Sequence, residues 1–92
     1  MVERQLGAFE RENAELLEEA EGALRAYDRA ERDEAEERYG DYLVVVEAGQ
    51  DALVELREAY AAGLDFDTAE EYRGAFNRLA RKQFRRFALD LD

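Results

Sequence analysis

A chain of 92 residues with 24 acidic and 13 basic side chains, and no cysteine, is a single domain, 1–92, that must hold together without disulfides. Its net charge of −11 excludes general affinity for DNA, RNA or an anionic membrane over most of its surface. Apolar residues make up 47% of it, which excludes compositional disorder, and a dominance of alanine, leucine, glutamate and arginine without any proline makes the fold all-α.

The first predicted helix runs over about 3–38. Its apolar stripe is Val2, Leu6, Phe9, Asn13, Leu16, Ala20, Ala23, Tyr27 and Ala30, stepping by threes and fours like the a and d positions of a heptad. Leu17 and Leu24 widen that face. Asn13 falls on an a-type position, where an asparagine either fixes register and oligomeric state or sits half exposed. Past Ala30, the stretch Glu31 to Arg38 offers only Ala35 for burial. Gly40 is the expected point of reversal, because glycine tolerates positive φ.

The pattern resumes in a new phase at Tyr39, Tyr42, Leu43, Val46, Gly49, Leu53, Leu56 and Tyr60, which predicts a second helix over about 41–62. The β-branched run Val44, Val45, Val46 has no second strand to pair with and reads as a helical turn. Gly63 suits the left-handed residue that often follows a helix. Thr68 and Glu71 have capping-box spacing and open a third helix over about 68–88, with Tyr72, Phe76, Leu79, Ala80, Gln83, Phe84 and Phe87 on one face.

These elements make a three-helix bundle of unequal rods. A first helix of about 36 residues rises about 54 Å, against about 30 Å for each of the others. It therefore overhangs, bends near Gly22, or pairs with a second copy. A stripe carrying Leu6, Phe9 and Leu16 is unfavourable in water, so a homodimer is the expectation.

Reactive groups are scarce. Without serine, cysteine or histidine the usual nucleophiles and the usual general base are missing, and no enzyme is expected. Helix capping accounts for Thr68, the one threonine, and Lys82 lies among arginines rather than in an apolar pocket. Glu12, Glu15 and Glu19 share one helical face, as do Asp33 and Glu37, yet a di-iron bundle needs Glu-x-x-His pairs that this chain lacks. Asp65 and Asp67 begin like a calcium loop, which then fails at Ala69, Glu70 and Phe76. No metal, cofactor or small-molecule substrate is expected.

The C-terminal part reverses the charge. Residues 1–71 hold 22 acids and 7 bases, whereas residues 72–92 hold 6 bases and 2 acids. On helical geometry Arg73 and Arg86 flank the apolar face and reach neighbouring helices, while Arg78, Arg81 and Arg85 point away from it and Lys82 lies between. The plain reading is that these cations complement the helix C-terminus and neighbouring acids, with the outer ones solvated; otherwise Arg78, Arg81, Lys82 and Arg85 are the candidate partner-binding residues, for a protein partner or a second copy. A small nucleic-acid-linked regulator is the alternative, and it ranks lower because no aromatic residue stands among those cations to stack on bases.

The longest apolar run, Tyr42 to Val46, is far short of the roughly 20 residues that span a bilayer, and the charged N-terminus is no signal peptide. A cytoplasmic protein is expected. Of the 13 bases 12 are arginine, and an acid excess with almost no lysine resembles the composition of cytosolic proteins made for high salt. Arginine bias alone would not produce the acid excess. The sequence thus reads as an acidic, halophilic interaction or assembly module.

Overall fold

Two of the three rods are broken, and each break turns a large apolar residue inward. In the computed structural model, which describes residues 1–91, α1 is Val2–Glu12, α2 Ala14–Arg29, α3 Ala35–Ala61, α4 Phe66–Gln83 and α5 Arg85–Ala88. The fold is all-α, with no strand among the described residues, and Val44–Val46 lies inside α3. Asp92, the last residue of the expected domain, lies outside the described residues.

The first break is at Asn13, with φ −116° and ψ 26°, rather than near Gly22. The Asn13 side-chain Nδ2 donates to the Phe9 carbonyl at 3.0 Å, and its backbone N–H donates to the same oxygen at 2.9 Å. A side chain that bonds the carbonyl four residues back competes with the helix ladder and bends it. The asparagine therefore acts within its own chain. Bent here, α1 packs across α4, with the Tyr72 hydroxyl donating to Gln5 at 2.7 Å. Leu6 and Phe9 are 0% and 2% exposed, and Leu16 is half-buried. The exposed stripe from which a dimer was expected is thus covered by the chain itself.

The reversal lies earlier in the chain than Gly40. The long first helix ends at Arg29, and the chain turns through residues 30–34, with Ala30 extended at φ −67° and ψ 141°. Gly40 continues α3 as an ordinary helical residue with no positive φ. The turn falls where nothing remains to bury and where charge suits both helix ends. Arg29 stands in the last turn of α2, and Glu36 and Glu37 stand in the first turn of α3.

At the next corner Gly63 has no positive φ either; its N–H bonds the Tyr60 carbonyl at 3.1 Å in a tightened last turn. The cap of α4 is Asp65, which accepts from the Thr68 N–H at 3.0 Å, so the helix starts at Phe66 and Thr68 is its third residue rather than its cap. Thr68 also holds the Asp65 carboxyl below its ordinary pKa through a side-chain hydrogen bond.

The last rod breaks at Phe84, at φ −130° and ψ 50°, so the expected helix over 68–88 becomes α4 and α5. Phe84 meets Phe9 edge to face with ring centroids 5.1 Å apart, and Phe87 goes into the core beside α3. The α3 backbone is open there because position 49 is glycine. A Cβ on Gly49 would lie 2.3 Å from the Phe87 ring. The core is Leu6, Phe9, Ala20, Leu53, Tyr72, Phe76, Ala80, Phe87 and their neighbours. Val45 lies within it and Val46 packs against it half-buried, and Gln83 of the expected stripe is exposed.

All of this sits at one end. The radius of gyration is 15.1 Å, against about 12 Å for a compact chain of this length, and the extents are 51 × 23 × 18 Å. Beyond the body, α2 and α3 run on as a two-helix arm, and no residue from Glu21 to Val44 is fully buried.

Candidate functional site

Where the cations go separates structure from surface. Arg73 reaches across from α4 to α3 and grips Glu58 with two bonds, Nε to Oε2 at 2.9 Å and Nη2 to Oε1 at 3.0 Å, while its Nη1 meets Glu70 at 3.1 Å. The fork geometry suits a planar guanidinium. It raises the Arg73 pKa and lowers that of Glu58, an effect that Arg57 adds to. Arg86 pairs with Glu21 of α2 at 3.8 Å. Both flanking arginines thus reach their own bundle, as helical geometry indicates.

A buried polar pair joins α3 to α4. Arg57 is only 9% exposed, and its Nη1 donates to Asn77 Oδ1 at 2.9 Å while its Nε donates to Glu58 at 2.9 Å. Sequence reading missed this pair. The available signal was position: Arg57 stands on the Val45, Gly49, Leu53, Ala61 face of α3, and Asn77 adjoins Phe76. A lone base on an apolar face needs a buried acceptor, and Asn77 supplies one.

The four candidate partner-binding residues do not form one cluster of equals. Arg81 turns back to its own chain, where its Nη2 donates to the Leu91 carbonyl, correcting the expectation that it points away. Arg78, Lys82 and Arg85 are exposed and form no ion pair among the described residues. Lys82 and Arg85 share a shallow cavity of about 370 Å³ with Arg86 and Gln83, where the α4–α5 break meets α2. Phe84, Phe87 and Leu17 line its apolar side, and Glu21 lies at its edge. This is a basic corner with a greasy floor.

The carboxylates show the opposite pattern. Every described one except Glu58 is exposed. Glu12, Glu15 and Glu19 line one open surface hollow across the Asn13 break, with Arg11 beside them, and Asp65 is occupied as a helix cap. Among the described residues no three carboxylates converge as metal ligands would. No helix among them is long and apolar enough to cross a membrane.

Four exposed apolar side chains, Tyr27, Tyr39, Leu43 and Val44, lie on the arm, while Met1, Phe66 and Leu89 are exposed on the body. The rings of Tyr27 and Tyr39 meet at a tilt with centroids 5.2 Å apart across α2 and α3. Fold and surface define an all-α bundle with a projecting acidic arm and one basic corner at the arm's root. No family model, curated protein or solved structure matches this chain.

Proposed function

We propose that this protein is a non-catalytic interaction module of a high-salt cytoplasm, whose basic corner holds an acidic segment of a protein partner. The observation that carries the reading is the cavity at the corner. In a chain of net charge −11, Lys82 and Arg85 stay exposed and unpaired among the described residues, side by side over an apolar floor. Arg73 and Arg86 meet carboxylates of their own bundle, and Arg4, Arg11, Arg29 and Arg32 also form no ion pair among the described residues, so what marks Lys82 and Arg85 is the cavity with Leu17, Phe84 and Phe87 that they line. Charged rim and apolar floor together suit a helix or strand bearing glutamates beside a bulky residue.

A labelled synthetic helix of glutamate and leucine tests this by fluorescence anisotropy. Binding that weakens with salt and is lost in Lys82→Glu/Arg85→Glu supports the reading. Absence of binding, with an oligothymidylate bound instead, overturns it in favour of the nucleic-acid alternative. The high-salt part is tested by melting from dilute buffer to molar KCl. Screening shrinks from about 30 Å at 0.01 M to about 3 Å at 1 M, so the melting point is expected to climb as self-repulsion fades. A chain fully stable without salt removes that part.

A further inference from the structure

We infer that the occupant of the basic corner is the acidic arm of a second copy of this chain, in a two-fold antiparallel dimer. The inference rests on the reading that the corner binds protein. Its first support is charge. Residues 21–44, which make the arm, hold eight acids and four bases, and the tip connection over 30–34 carries Glu31, Asp33 and Glu34 against Arg32, with Glu31 and Asp33 in no ion pair among the described residues. Lys82 and Arg85, opposite in sign, are likewise unpaired. The acidic tip and the basic corner are complementary and sit at opposite ends of the arm.

Geometry supplies the second support. The corner adjoins Leu17 and Glu21, at the root of the arm, and α2 ends at Arg29. From Leu17 to Arg29 the helix rises about 18 Å. Two arms laid side by side in opposite directions therefore bring each tip to the other's root, and one two-fold axis makes both contacts at once. The same arrangement turns two exposed hairpins into a four-helix layer, which gives Tyr39, Leu43 and Val44 a neighbour. A hairpin with no fully buried residue over this length has apolar surface to gain from that.

Charge exchange tests the inference on the full chain by sedimentation velocity, from about 10 µM to about 1 mM protein in about 0.3 M KCl, where long-range repulsion is screened. The wild type is expected to dimerise. Lys82→Glu/Arg85→Glu reverses the corner and Glu31→Lys/Asp33→Lys reverses the tip; each is expected to weaken self-association about tenfold or more. Their equimolar mixture is expected to recover the dimer, because each reversed corner then faces a reversed tip. All four positions are exposed, and circular dichroism checks that the variants stay helical. A wild type monomeric throughout overturns the inference, as does a mixture that fails to re-form the dimer. If the chain stays monomeric while the glutamate–leucine helix still binds, the dimer fails and the corner reading stands. If the wild type dimerises indifferently to corner reversal and the peptide does not bind, both fail.

Discussion

The body and the arm obey different rules although α2 and α3 run through both. In the body each rod buries a face against two others, and the buried residues recur along α3 at intervals of four: Val45, Gly49, Leu53, Arg57, Ala61. In the arm the same helix has one neighbour, and Leu43 and Val44 are left in water. A helix pair without a third element rarely buries enough to offset its ordering entropy. The arm is therefore held by its continuity with the body, and the body is where stability resides. The difference teaches where to look for function: surface that folding does not use is surface available to a partner.

The comparison breaks most visibly if core truncation is tolerated. Phe87→Ala removes a ring that is 1% exposed and leaves a cavity beside Gly49, so a loss of about 3–5 kcal/mol is expected in urea unfolding. In protein dilute enough to be monomeric, Val44→Ala on the arm is expected to stay within about 0.5 kcal/mol. Comparable losses at both positions would mean that the arm is packed in solution. Native-state hydrogen exchange reads the same contrast without mutation, because arm amides should open well below the global unfolding free energy.

Glycine sharpens the contrast because one substitution should change sign between regions. At Gly40, in the arm, an added Cβ meets nothing within 4 Å, and Ala gains about 0.5–1 kcal/mol of helix propensity. At Gly49, in the body, the same methyl would press on the Phe87 ring at 2.3–2.8 Å, and repacking costs typically about 1–3 kcal/mol. Gly40→Ala is expected to raise the melting point and Gly49→Ala to lower it. Like signs at both would mean that α5 yields without cost.

How legible this was depended on which residues carried the information. The amphipathic stripes announced three rods and put Leu6, Phe9, Phe76 and Phe87 inside, because burial at helical spacing is a local, periodic signal. The first corner was misplaced because Gly40 was taken as its marker, whereas Gly63 does mark the second corner, although neither glycine adopts positive φ. The true signals were charge at helix ends, with Arg29 before Glu36 and Glu37, and side-chain capping at Asn13 and Asp65. For the site, helical angles separated Arg73 and Arg86 from the outer cations. They could not reveal that Arg81 folds back to Leu91, because that depends on the break at Phe84. The Arg57–Asn77 pair was out of reach for a similar reason: it joins residues 20 apart across two helices.

That polar seam between α3 and α4 gives the body one pH-sensitive joint, and it should have the smallest effect of the changes considered. Glu58 faces Arg73 and Arg57, with Glu70 sharing Arg73, and the Arg73 hydrogen bonds hold its carboxyl below the ordinary value of 4.5. A depressed carboxylate contributes stability above its unfolded pKa and loses it as pH falls through the folded one. The contribution is therefore full at neutral pH and fades below about 4.5. Glu58→Gln is expected to lower the melting point by about 1–3 °C at pH 7, with the gap to wild type closing on acidification, because a half-exposed pair is worth little. Asp65 titrates downward in the same direction through Thr68 but is present in both chains, so it cancels from the difference. A gap that persists unchanged into acid would show that Glu58 serves the α3–α4 joint as a hydrogen-bonding group rather than as a charge.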